Sequence, residues 1–423
     1  MSERPIELAG KAVEAAGTRD ATAHVTAFRN AFVRFGSNRI TQNQDSGGIS
    51  MLLTVGDGAR KASVTFEDVS RQGMERAAAK ARELLKASPE DPEYVPPPGP
   101  GQIYPGIDGA EDPQAAECPV EQRMRAVKGI IEEAARHGLE AGGICENSRT
   151  MTAVATSTGN RAEHSATAVS ISFTMDRGRA SSYRALRSES WNIDWRTAAE
   201  TVAKQALDNR GQTEPAPGDY DLILEPQAVS NLLVFIYFTL DARRADEGLT
   251  VFSGMEGKKL SGPKLTVRSD PDGRVKGVRF NSEGLPARKS LWIEKGVLKQ
   301  LPCDRFWAGK TGREPAFIPD CLEMDGGSET LEDMIAATGR GLLIRRFWYI
   351  RFVDQKTLKL TGMTRDGVFR ISDGRVAGPV PDFRWNWRPL ELFRNLEAAG
   401  VPERTGFIMA PPVRITRIPY PCV

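Results

Sequence analysis

The stretch Asp221 to Gly248, DLILEPQAVSNLLVFIYFTLDARRADEG, decides how the second half of the chain is read. Leu222 to Leu224 is a short apolar run of the kind that forms a buried strand. Glu225-Pro226 breaks it and opens a helix, because proline fits the first helical turn, where its missing N–H would have no partner anyway. Val229, Leu232, Leu233, Ile236 and Leu240 recur at helical spacing, and Phe235, Tyr237 and Phe238 make the other faces apolar too. A helix greasy on every side predicts burial. Charge arrives only after Leu240, as Asp241, Arg243, Arg244, Asp246 and Glu247, with Gly248 as the expected stop.

Downstream the pattern is β-rich. Ser290 to Ile293 and Val297 to Leu301 flank Glu294-Lys295-Gly296, and Val368 to Ser372 and Arg375 to Ala377 flank Asp373-Gly374, a turn pair suited to a tight hairpin. Between them SETLED opens a helix over Ser328 to Ala337, with Ser328 or Thr330 as cap. Leu342 to Val353 and Leu358 to Met363 read as core strands, with Trp348, Tyr349 and Phe352 packed inside. The tail, APPVRITRIPYPCV, holds too much proline for a helix.

Upstream, one pattern is written twice. Glu7 to Gly17 is helix-like; strands follow around His24 to Phe35, Arg39 to Gln44, Ser50 to Val55 and Lys61 to Thr65, then a helix from Val69 to Leu85. The order returns with a helix over Val120 to His137, strands over Thr150 to Ser157, Arg161 to Phe173 and Arg179 to Arg187, and a helix over Trp195 to Leu207. Asn38-Arg39 and Asn160-Arg161 take matching turn positions. Residues 1–95 and 119–210 are therefore expected to be copies of a helix-flanked antiparallel sheet, joined by the proline-rich linker 94–113. The segment GQTEPAPGDY, Gly211 to Tyr220, separates an α+β region over 1–215 from the β-rich region over 218–423.

Several of these segments together resemble the TldD/PmbA family, bacterial and archaeal peptidases once labelled modulators of DNA gyrase. They are LEPQAVSNLL from Leu224, FSG at Phe252 to Gly254, NSEGLPARKSLWIEKGVLK from Asn281, and RRFWYIRFVDQKTLKLTGMTRDGVFRISDGRV from Arg345, and they stand in the family's order. The resemblance implies an α+β chain with a barrel-like C-terminal domain around the buried helix. In metal-bearing members the segment like LLVFIYFT reads LLHExxxH, with two zinc-binding histidines and a catalytic glutamate. Here Val234 and Thr239 stand at the histidine positions and Phe235 at the glutamate. Zinc needs imidazole, thiolate or carboxylate donors, and Val, Phe and Thr offer none.

The resemblance thus points to the TldE/PmbA-like branch. It implies a heterodimer or higher oligomer with a TldD-like, HExxxH-bearing subunit that holds the zinc and cleaves extended or unfolded peptides, while this chain encloses the chamber. Arg243, Arg244 and Asp246, just past the helix, are the candidate chamber or partner contacts; the alternative for them is a solvated helix end. Two other readings stand beside this one: a self-sufficient hydrolase, and a module that captures peptides by edge pairing without cleavage.

Composition excludes other classes. Over 423 residues, Lys and Arg are interleaved with Asp and Glu for a net charge of +2, so there is no basic stripe to track a phosphate backbone and no nucleic-acid partner is expected. MSERPIELAG lacks the apolar core of a signal peptide, and no run is apolar enough to span a membrane, so the expected compartment is the cytoplasm. Cys118, Cys145, Cys303, Cys321 and Cys422 form no C-x-x-C pair and are expected to be reduced. His24, His137 and His164 lack metal-motif spacing, so each reads as structural or solvated. AGKTG, Ala308 to Gly312, is no P-loop, because Asp304 replaces the required first glycine. Cys303 and Cys321 have no histidine near in sequence to activate them.

Overall fold

The computed structural model describes residues 3–421; Cys422 lies outside them. Alternating small apolar and polar residues build the first half. Helix α1 (Pro5–Ala16) leads into strands β1 (Asp20–Gly36), β2 (Arg39–Gly56) and β3 (Lys61–Phe66), closed by α2 (Arg71–Ala87). After the linker and the single turn α3 (Pro113–Ala116), the order repeats: α4 (Val120–Arg136), β4 (Glu140–Thr156), β5 (Arg161–Arg177), β6 (Ala180–Ser188) and α5 (Trp195–Asp208).

The two sets of strands do not form separate sheets. They merge into one six-stranded sheet of order β3-β2-β1-β4-β5-β6, joined where β1 pairs antiparallel with β4 from Thr22↔Thr156 to Phe35↔Gly143. Asn38 reinforces the junction: its Nδ2 donates to Leu139 O at 2.9 Å, and its Oδ1 accepts from Ala141 N at 2.7 Å. All four long helices cover one face. Ala21, Ala23, Val25, Met51 and Leu53 pack with α1 and α2, while Val33, Cys145, Ile171 and Phe173 pack with α4 and α5. The expected breaks at Gln44 and before Thr150 are absent, since β2 runs 18 residues and β4 starts at Glu140. Gln42 to Asp45 are exposed, so no apolar alternation marks this part of β2; ladder bonds to β1 hold it in strand form.

The second half comprises β7 (Gly218–Leu224), α6 (Pro226–Thr239), α7 (Ala242–Asp246), β8 (Val267–Ser269), β9 (Ser290–Glu294), β10 (Val297–Leu298), α8 (Arg305–Thr311), β11 (Leu322–Met324) and α9 (Leu331–Ala336). It continues with β12 (Arg340–Asp354), β13 (Lys359–Ser372), β14 (Arg375–Val380), β15 (Arg384–Trp387), α10 (Pro389–Leu392), β16 (Leu396–Ala399), β17 (Glu403–Thr405), β18 (Ile408–Ala410) and β19 (Val413–Tyr420). One sheet has the order β14-β13-β12-β7-β19-β16 with β15 on β13; the other has the order β10-β9-β8-β11-β18-β17. The C-terminal part curls into a half-barrel, and α6 touches β7 and β12 of one sheet and β17 and β18 of the other.

Both expected hairpin turns are present, with positive φ at Lys295 (48°) and Gly296 (79°) and at Asp373 (50°) and Gly374 (75°), the geometry that matches strand twist. Thr330 caps α9, its Oγ1 accepting from Asp333 N. The proline-rich tail is more regular than its composition suggests: β19 lies between β7 and β16. Trp348 and Tyr349 depart from expectation, being 47% and 65% exposed. Register shifts between Ile344 and Arg346 and between Trp348 and Arg351, with φ 54° at Tyr349, turn their side chains outward. Phe352 stays half-buried against Phe235, ring centroids 5.1 Å apart. Among the described residues no helix is long and apolar enough to cross a membrane.

Candidate functional site

Helix α6 is buried on one side only. Val229, Leu232, Leu233 and Ile236 are fully enclosed, whereas Val234, Phe235 and Tyr237 are half-buried and Phe238 is 60% exposed. The sequence expectation of burial on all faces is corrected here: the half-open side carries Val234 and Phe235, two of the three motif positions, while the third, Thr239, is buried. The helix also ends earlier than Gly248. Thr239 Oγ1 donates to Phe235 O at 2.7 Å, Leu240 turns extended, and Asp241 Oδ1 accepts from Arg244 N at 2.8 Å to start α7. Gly248, at φ 76°, closes α7 instead.

These residues do not fit a zinc ion at the motif positions. Val234 and Phe235 have no donor atom, Phe235 is packed edge-on against Phe352, and the Thr239 hydroxyl is engaged with its own helix. Among the described residues no group of three or more His, Cys, Asp or Glu side chains stands close enough to hold a metal.

Arg243, Arg244 and Asp246 are tied into the chain itself. Arg243 makes a two-pronged contact with Glu93, just ahead of the linker, at 2.7 and 2.8 Å, and lies over the Trp307 ring. Arg244 Nη2 donates to Gln355 Oε1 at 2.8 Å. Asp246 accepts from Trp307 Nε1 at 2.8 Å and from both terminal nitrogens of Arg313, bonds that hold its carboxyl below the usual range. Arg243 borders a cleft of about 240 Å³, which it shares with Asp241, Asn281 and Trp307. A neighbouring cleft of about 350 Å³ opens on the helix-free face of the six-stranded sheet, between Thr22, Leu52 and Thr54 on one side and Ser282, Arg305 and Phe306 on the other.

The remaining sequence candidates are quiet. Burial pushes the Cys303 thiol up to about 11 and the Cys145 and Cys321 thiols up to about 12, so none is poised as a thiolate nucleophile. Burial lowers His24 and brings His164 down to about 4, keeping its imidazole neutral. His137 Nε2 lies 3.0 Å from Glu133.

A cluster that sequence reading missed joins the two halves. A bulge in β13 puts Asp366 at φ 60°, where it accepts from Ser181 Oγ of β6 at 2.7 Å and lies 2.7 Å from Arg346 Nε, an ion contact too poorly aligned for a hydrogen bond. Arg346 stacks over Tyr183 at 3.9 Å. Close by, Asp382 is open to water yet hemmed in by protein; the desolvation, followed by the Asp366 charge, raises its carboxyl to about 6. An aspartate in the unfolded chain titrates near 3.9. Between these values the folded state binds more protons, so wild-type stability falls as pH rises from about 4 to 6 and the penalty is constant above. Asp382→Asn is expected to gain on wild type across that window and then level off. Denaturant midpoints of both proteins at a series of pH values check it, and a difference flat from pH 4 to 7 would remove Asp382 as the cause.

Residues 217–419 match the profile of the PmbA/TldA metallopeptidase C-terminal domain. A metalloprotease of Methanothermobacter thermautotrophicus is 27% identical over 210 residues, 45% of this chain and 45% of that protein. A metalloprotease TldD homolog of Buchnera aphidicola is 25% identical over 171 residues, 36% of this chain and 35% of that protein. The matched segments thus span less than half the length of these relatives. The fold is shared more widely. TldE from Thermococcus kodakarensis superposes with a TM-score of 0.88 at 17% identity, over 98% of both chains. A Bacteroides thetaiotaomicron protein described as a modulator of DNA gyrase does so with a TM-score of 0.88 at 20% identity, again over 98% of both. The half-barrel and its central helix are those of the TldD/TldE fold, and residues 217–419 carry the matching C-terminal domain. Residues 217–419 belong to the TldD/PmbA family.

Proposed function

We propose that this chain is the non-metal subunit of a TldD/TldE-type metalloprotease complex, cytoplasmic, that cleaves extended or unfolded peptides. The observation that carries the reading is α6: it keeps the family's helix in place between two sheets while Val234, Phe235 and Thr239 leave the three motif positions without donors. The zinc and the glutamate then belong to an HExxxH-bearing partner, in a heterodimer or higher oligomer. This chain supplies the wall, with the half-open side of α6 and the clefts beside it facing the peptide. Nucleic acid has no part in the reading.

The test mixes the purified chain with an HExxxH-bearing homologue from the same genome. Expected is chelator-sensitive cleavage of an unstructured peptide by the mixture, with neither cleavage nor stoichiometric zinc in this chain alone. Stoichiometric zinc together with chelator-sensitive peptidase activity in the isolated chain would overturn the assignment.

A further inference from the structure

Three segments converge at the end of α6. Tyr237 and Phe238 lie three and four residues beyond Val234, hence on its face of the helix. Phe407 immediately precedes β18, and Asp320 stands two residues before β11. Leu322 N donates to Phe407 O at 3.0 Å, so the two loops run side by side. The Tyr237 ring meets Phe407 and Phe238 edge-on, at 5.3 Å each. Asp320 holds a left-handed backbone, φ 52°, which is strained for a residue with a side chain. Among the described residues its carboxylate has neither a hydrogen-bond nor an ion-pair partner. It is open to water but crowded by protein, and that desolvation raises its carboxyl; its charge is felt at the Tyr237 hydroxyl.

Two other outward rings, Trp348 and Tyr349, are covered by cations of their own chain. Arg346 and Arg365 lie over Trp348 at 5.0 and 5.1 Å, and Arg351 lies over Tyr349 at 4.3 Å. No such cation covers the Tyr237, Phe238 and Phe407 rings among the described residues. A single carboxylate among aromatic rings is a poor metal site, and it suits an organic cation, which gains from both the charge and the ring faces.

We propose that Asp320, Tyr237, Phe238 and Phe407 form a subsite that holds an ammonium group of an extended peptide, either its amino terminus or a lysine. The subsite rests on the reading that peptides reach the half-open side of α6. It gives this chain a share in substrate choice without any share in bond cleavage.

Calorimetric titration of the isolated full chain tests it with three versions of one unstructured peptide: free amino terminus without lysine, acetylated with one lysine, and acetylated without lysine. At least one of the first two is expected to bind about tenfold tighter than the third. The first two also tell terminus from lysine. Asp320→Asn, which asparagine's tolerance of left-handed backbone allows, and Phe238→Ala, at an exposed position, are each expected to erase the preference while thermal melting stays that of wild type. Equal affinities, absence of binding, or a preference that survives Asp320→Asn would overturn the proposal. Cleavage by the mixed complex with no ammonium preference sinks the subsite alone; a preference without cleavage in the mixture sinks the complex alone.

Discussion

Leu233→Asp is expected to leave little folded protein. Leu233 is fully buried on the enclosed side of α6, in the same core as Leu224, Trp292, Ile344 and Ile415. Removing a buried leucine side chain costs about 2–5 kcal/mol, and the aspartate must either carry charge into that core or stay protonated, at a few kcal/mol more. Against a total stability of about 5–15 kcal/mol, this is enough to unfold much of the population. Phe238→Asp, on the same helix at a 60% exposed position, is the control and is expected to melt within a few degrees of wild type. Soluble yield and thermal melting of the pair decide the matter. A Leu233→Asp protein that melts like wild type would show that the two sides of α6 have been assigned the wrong way round.

The second large effect is expected at Asp366→Ala. The carboxylate is 2% exposed, and its removal leaves the Arg346 guanidinium, 10% exposed, without its counter-charge and Ser181 without its acceptor. Breaking a buried pair from one side costs about 3–5 kcal/mol, and alanine at φ 60° adds backbone strain that aspartate tolerates better. The double variant Asp366→Ala with Arg346→Met is expected to recover a good part of the loss, because no lone buried charge remains. Chemical denaturation of the single and double variants measures both quantities. An unchanged midpoint for Asp366→Ala would mean that the contact between β13 and β6 holds without this pair.

Local chemistry made much of the fold legible. Pro226 after a strand, Asp373-Gly374 between alternating runs and Thr330 ahead of two acids each act through their own backbone, so their elements stand where the sequence puts them. Longer-range geometry was not legible. The exposed Gln42 to Asp45 segment is a strand only because β1 lies beside it, and the outward turn of Trp348 and Tyr349 depends on bulges that no aromatic pattern announces. At the site, the donorless positions Val234, Phe235 and Thr239 could be read from residue types alone. The engagement of Arg243 and Asp246 could not, since Glu93 and Arg313 are 150 and 67 residues away. Asp320 carries no motif; only the pairing of its loop with that of Phe407, through Leu322, and the reach of its charge to Tyr237 give it meaning.

The junction of β1 with β4 sets a timetable for synthesis. Thr22 waits for Thr156 and Phe35 for Gly143, so the whole flank of a 17-residue strand stands without its partner while roughly a hundred further residues leave the ribosome. At about 5–20 residues per second that is on the order of 5–20 s. Over that interval β1, β2 and β3 can already curl around α1 and α2, yet they present a long open ladder to any neighbouring nascent chain. The twin halves are therefore unequal in time: the first is a template held open, and the second arrives to find its register already written.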